Sequence, residues 1–167
     1  DQHAAALGAF LAEFDAPNEN LHGWFCPKDW PFERQVLEVN AWGRGENLQP
    51  GWVPCSTWFA EDDGELLGVL NFRHILNEGL RTFGGHIGYS VRPSARRRGV
   101  ASWMLGQALP HARAMGIERL LLTCDPSNVG SVKTIEKHGG IMQDEIFNEA
   151  QQHLTRRYWI ALSPSAD

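Results

Sequence analysis

Apolar side chains recur along this chain in two rhythms, and the switch between them divides it. Near the start, Ala5, Leu7, Phe10, Leu11 and Phe14 fall at helical spacing, which predicts a helix over residues 2–14. PNENLHGWFCPKDWP then breaks the rhythm and reads as a loop, Phe32 to Trp42 as a second helix, and Gly43 to Pro54 as a stretch rich in turn formers. From there the pattern changes. STWFAE and ELLGVLNFRHIL are two strand-like runs around Asp62-Asp63-Gly64, a hairpin signal because tight turns demand the positive φ that glycine accepts. NEGLRTFGG reads as a polar loop or short helical turn. In HIGYSVR, Ile87, Tyr89 and Val91 alternate onto one face, predicting a third strand.

The second half alternates between the rhythms. Ala101, Met104, Leu105, Ala108, Ala112 and Met115 repeat at helical spacing, with Gly116 to end the helix and Pro110 expected to kink or shorten it. ERLLLTC reads as a short apolar strand. Asn128 to His138 predicts a helix with Val129, Val132 and Ile135 inward, and GIMQDEIF and TRRYWIAL predict two closing strands. Hairpin, strand, helix, strand, helix and two strands make a mixed α/β (α+β) sheet, expected as one domain over residues 1–167.

Composition narrows the function classes. The apolar fraction of 43% is that of an ordinary globular chain, and no run of apolar residues is long enough to span a membrane. The opening DQHAAALGAF is not expected to be a signal peptide, having no basic leader and no long apolar segment. A net charge of -5 argues against a general nucleic-acid binder. Cys26, Cys55 and Cys124 are few, odd in number and far apart, so reduced thiols in a cytoplasmic protein are expected, with neither a disulfide framework nor a metal site. The seven tryptophans are expected mainly in packing.

Against that acidic balance, VRPSARRRGVASWML stands out. Arg96, Arg97 and Arg98 precede Gly99 between a predicted strand and a predicted helix. The first N–H groups of a helix have no internal partner, and its dipole leaves positive charge there. A loop ending in such a start is an anion site, and Gly99 lets the backbone approach closely. No Gly-Lys-Ser/Thr follows, so this is not a nucleotide P-loop. The three spaced glycines of a dinucleotide fingerprint are also missing.

Here the sequence resembles the GCN5-related N-acetyltransferase (GNAT) superfamily, whose pyrophosphate loop reads Gln/Arg-x-x-Gly-x-Gly/Ala. Arg96, Gly99 and Ala101 hold the three fixed positions. After the next strand, NVGSVKTIEKHGG is similar to the family's Asn-x-x-Ser helix, with Asn128 and Ser131 in place. GGHIGYSVRPSARRRGVA together with CDPSNVGSVKTIEKHGG resembles a bacterial subgroup of acetyltransferases without an assigned substrate. The resemblance covers roughly Gly51 to Leu162.

The resemblance implies the GNAT fold, a mixed central sheet flanked by helices, in which two strands splay apart at their C-terminal ends. Here they would be His86 to Arg92 and Glu118 to Cys124. It implies acetyl-CoA as acyl donor, its pantetheine arm pairing with the first of those strands. Its diphosphate would meet the backbone from Arg97 to Ala101. Val91, Arg96, Arg97, Arg98, Gly99, Val100, Ala101 and Asn128 are therefore the expected coenzyme contacts. A strand N–H near Val91 would polarise the thioester carbonyl. A base must free the amine and an acid must protonate the thiolate. Many family members place a tyrosine seven residues after the asparagine as that acid, and this chain has Ile135 there. Ser131, with Tyr89 and Cys124 as substitutes, is the acid candidate, and His86 is the base candidate.

The reading is an N-acetyltransferase passing acetyl directly to a small-molecule primary amine in a ternary complex, without metal. The alternatives are a peptide or protein N-terminal acetyltransferase and a non-catalytic acyl-CoA sensor. No nucleic acid or membrane partner is expected, and the final strands could support a homodimer.

Overall fold

In a computed structural model describing residues 2–162, six strands form one sheet in the order β1-β2-β3-β4-β6-β5. Asp1 and residues 163–167 lie outside the described residues, so the expected span 1–167 is followed only between them. β1 (Cys55–Asp62) and β2 (Glu65–Arg73) form the expected hairpin. Its two turn residues, Asp63 and Gly64, both take positive φ, 49° and 82°, the type I′ geometry that matches strand twist. β2 pairs antiparallel with β3 (Ile87–Val91). On the far side β4 (Arg119–Cys124), β6 (His153–Ala161) and β5 (Gly140–Asn148) are antiparallel throughout.

The two halves meet at β3 and β4, the one parallel pair. Only Ile87 and Leu122 stand in register there. Just before β3, His86 N–H donates to Leu121 O at 2.7 Å, and Leu121 N–H donates to His86 Nδ1 at 2.9 Å. Beyond that point the strands part.

Strand alternation puts Leu70 and Phe72 on one face of β2 and Val69 on the other. The first face packs against α3 (Val100–Ala114), through Met104, Leu105, Ala108 and Ala112, and against Ile135 of α4 (Val129–Lys137). The second packs against α1 (Gln2–Ala12) and α2 (Phe32–Gly43), through Leu7, Phe10, Leu11 and Trp42. Pro110 does not shorten α3, which runs on to Ala114. NEGLRTFGG contains one π-helical turn, Leu80–Gly84. No helix among the described residues is long and apolar enough to cross a membrane. Trp24 and Trp42 are core residues, whereas Trp103 is 56% exposed.

Candidate active site

The splay between β3 and β4 makes the site. Arg73 N–H donates to His86 O and Arg92 N–H to Leu67 O. Antiparallel alternation then turns the peptide groups of Gly88 and Ser90 toward β2, and those of Tyr89 and Val91 toward the gap. An extended thioester arm laid in the gap would meet the Tyr89 peptide group and the Val91 N–H as an added strand does.

At the top of β3 the chain turns through Pro93–Ala95 and enters α3 by a left-handed route, with φ of 63° at Arg97 and 83° at Gly99. Gly99 is the residue before α3, and no side chain caps the helix there. A Cβ built on Gly99 meets nothing within 4 Å, so the space over these N–H groups is open. Val91, Arg96, Arg97, Gly99, Val100, Ala101 and Asn128 line a cavity of about 500 Å³ at this point. An uncapped helix start facing an open cradle fits the diphosphate of a coenzyme. Of the expected contacts only Arg98 lies outside the lining, with its side chain exposed.

Arg96 is less free than a phosphate ligand would be. Its Nε donates to Val91 O at 3.2 Å, Nη1 donates to Glu19 Oε1 at 3.0 Å, and Nη2 closes a tight pair with Glu19. Arg96 thereby ties the coenzyme loop to the segment after α1, and its hydrogen bonds hold the Glu19 carboxyl below its usual range. A second tie runs through Glu13, which accepts from Ser94 N–H at 2.9 Å and from Arg92 Nε at 2.7 Å. Against the cost of burial, Arg92 and Ser94 bring the Glu13 carboxyl down to about 2.

A second cavity of about 610 Å³ opens along the gap itself, between Ile87–Tyr89 of β3 and Leu122–Asp125 around the end of β4. Five residues, Asn20, His22, Tyr89, Asn128 and Ser131, line both cavities and mark their junction. Asn128 Oδ1 accepts from Ser131 N–H at 3.1 Å, capping α4 and fixing where its first turn faces. Tyr89 O–H donates to Ser131 Oγ at 3.3 Å, and burial pushes the Tyr89 phenol up to about 12, so it stays protonated. The hydroxyl missing at Ile135, which is core, is thus met at the same helix by one coming from β3.

His22 is the site residue that sequence reasoning missed. Its loop is pinned across β3, with His22 N–H donating to Ser90 Oγ at 2.7 Å. Gly23 (φ 91°) lies so close to the sheet that a Cβ there would sit 3.0 Å from Gly88 O. Burial, then the nearby Arg73 charge, lowers the His22 pKa from its usual value, leaving the imidazole neutral near pH 7. Nothing marked this histidine in sequence, since it sits in an irregular loop about seventy residues before the strand it meets.

The structure does not bring His86 to the junction. It is 6% exposed, lines none of these cavities, and spends its ring acceptor on the Leu121 N–H. Burial, then Arg81 and Arg73, draw it down to about 4. His74 faces Ser56 Oγ at 2.8 Å, away from both cavities. Cys124 lines the second cavity, and burial pushes its thiol up to about 11. The three cysteines are free thiols.

The sequence profile of the Acetyltransferase (GNAT) family matches residues 17–140. The chain belongs to that family. As a GNAT acetyltransferase it is an N-acetyltransferase with acetyl-CoA as acyl donor. Among curated proteins, none matches it by sequence. Solved structures similar to it include RimL, a ribosomal L7/L12 α-N-protein acetyltransferase, at 18% identity and TM-score 0.68, with 96% of this chain and 86% of that one covered. A GNAT-family acetyltransferase from Streptococcus pneumoniae is similar at 20% identity and TM-score 0.65, covering 97% and 95%. So is yncA from Salmonella typhimurium, solved with its cofactor acetyl-CoA, at 14% and 0.61, covering 100% and 91%. At these identities the likeness is one of fold, and this GNAT chain shares the mixed sheet and its flanking helices.

Proposed function

We propose that this acetyltransferase passes its acetyl group directly to a primary amine of a small molecule, with both substrates held at once in the two joined cavities. The observation that carries the reading is the junction, where a neutral imidazole and a protonated phenol from two elements line both cavities. Acetyl-CoA supplies the acetyl group as a thioester, held by the uncapped start of α3, by the Tyr89 peptide group and by the Val91 N–H. His22 takes the proton that the attacking amine loses. With the Ser131 hydroxyl turned to donate to the phenol oxygen, Tyr89 O–H is released to donate to the sulfur as the C–S bond breaks. The acid role read from sequence for Ser131 thus passes to its substitute Tyr89, and His22 takes the base role in place of His86. The wall made by residues 20–23 and Phe25 across the second cavity suits a small acceptor better than a polypeptide.

Thiol release measured with amines and with short peptides tests the reading. Tyr89→Phe should lower kcat by ~10²-fold or more, since general acid–base assistance is worth ~10²–10⁴-fold, and should leave acetyl-CoA binding intact. His22 must be neutral to act, so kcat/KM should fall as pH drops below its lowered pKa, and His22→Gln should remove that limb. A Tyr89→Phe enzyme that turns over normally would sink the acid assignment. Preference for peptides would favour the N-terminal acetyltransferase. Absence of turnover with every acceptor would leave a coenzyme-binding sensor.

A further inference from the structure

Arg73 ends β2, and its guanidinium lies at the border between the second cavity and a third, of about 510 Å³, walled by Phe25, Trp52, Val53 and Leu80. One of its nitrogens is satisfied, since Nη1 donates to Gly84 O at 3.0 Å and to Gly85 O at 3.3 Å. Nη2 and Nε make no hydrogen bond among the described residues. Nη2 instead lies over Gly88, 3.3 Å from where a Cβ would stand, and the absence of a side chain at Gly88 leaves the guanidinium facing the cleft. Among the described residues no carboxylate comes within ion-pair distance of Arg73, although Glu78 lines the third cavity and Asp125 the second. Half-buried arginines on or beside the sheet have such a partner: Arg92 has Glu13, Arg156 has Glu145, and Arg157 has Asp144.

A guanidinium cannot shed its charge at working pH, and burial without a counter-ion is costly. Such a group on the wall of a substrate cleft is one half of an ion pair. Its position constrains the other half. Gly88 precedes Tyr89, whose peptide group faces the coenzyme gap, and strand residues are spaced ~3.3 Å apart. The anion and the reacting amine therefore belong to one compact molecule, a few bonds apart. We infer that the acceptor is a free amino acid, its carboxylate held by Arg73 Nη2 and Nε and its amine presented to His22 at the junction. This rests on the small-molecule reading above and narrows it. Phe25, whose ring centroid is 6.0 Å from the Arg73 guanidinium carbon, stands where the side chain of that amino acid would continue into the third cavity.

The test compares thiol release from acetyl-CoA with free L-amino acids, the matching carboxamides, the matching decarboxylated amines, and peptides beginning with Asp or Glu. Wild-type enzyme should use the best amino acid at least ~10-fold more efficiently than its carboxamide, as expected for a charged hydrogen-bonded pair. The difference should lie mainly in KM. In Arg73→Gln, which keeps donors for the Gly84 and Gly85 carbonyls, the ratio between acid and carboxamide should fall toward one, with Arg73→Lys between. Equal use of acid and carboxamide by the wild-type enzyme overturns the carboxylate subsite without needing any variant to fold. Preference for the acidic peptides overturns the free amino acid as acceptor. Turnover with no amine at all, while acetyl-CoA still raises the Tm, overturns the parent reading and this one with it.

Discussion

The two cavities that meet at Tyr89 are built in different materials. The first is a backbone device. Its donors are the N–H groups entering α3, its shape comes from left-handed φ at Arg97 and Gly99, and those donors lie on one short stretch of chain that β3, the loop after α1 and the start of α4 flank. The second is a side-chain device, assembled from His22 and Phe25 on a loop, Arg73 on β2, Tyr89 on β3 and Ser131 on α4. A backbone cradle recognises a group shared by every reaction of its kind. A side-chain cleft recognises what is particular to one acceptor, and can be altered without disturbing the cradle.

The hardest blow to that contrast is Gly99→Val. A Cβ there meets nothing in the free protein, so the fold should lose only about 1–2 kcal/mol from the left-handed φ. The same Cβ stands where the diphosphate must approach, and losing two charge-assisted donors should weaken acetyl-CoA by ~100-fold or more. The measurement is the rise in Tm with acetyl-CoA, compared in both proteins. An undiminished rise would mean that the cradle lies elsewhere.

His86→Asn tests the apex on which both cavities hang. His86 is drawn down to about 4 in the fold, against an ordinary value near 6.5, so the unfolded chain binds its proton first as pH falls. Its contribution is complete above about 6.5 and is lost progressively toward 4. That is on the order of 1–2 kcal/mol after allowance for solvent screening. Asparagine can still accept from Leu121 N–H but does not titrate, so denaturant unfolding of this variant should show a flatter pH dependence over that window. An unchanged slope would place the acid sensitivity in the carboxylates instead, Glu13 first among them.

The mildest change is Asn128→Ala. Removing the cap on α4 should cost about 1 kcal/mol of stability and leave most of the acetyl-CoA-induced rise in Tm. Loss of that rise would move Asn128 from scaffold to coenzyme ligand.

The same contrast explains what could be read without coordinates. The strands and helices follow from apolar spacing, and the cradle from residues 96–101, because strand, loop and helix start are contiguous there. The hairpin at Asp63-Gly64 was legible for the same reason. The continuation of α3 through Pro110 was not, because the buried row from Met104 to Ala112 holds the helix together across the missing donor. The acceptor side was not legible either. The role proposed for His22 rests on Ser90 accepting from its backbone, and the one proposed for Arg73 on Gly84 and Gly85 satisfying one nitrogen and leaving the others. His86 drew attention by lying on the right strand, yet its ring faces Leu121, a relation that alternation along one strand cannot reveal.

The single registered pair between β3 and β4 has a consequence for the behaviour of this sheet in heavy water. A strand amide exchanges its hydrogen slowly when a neighbouring carbonyl holds it, and quickly when only solvent does. Gly88 and Ser90, turned toward β2, are held, whereas Tyr89 and Val91, turned toward the gap, are not. Deuterium should therefore enter β3 at alternate residues, a checkerboard unusual for a strand in the middle of a sheet. When the thioester arm settles into the gap, the fast positions should slow and the slow ones should hardly change.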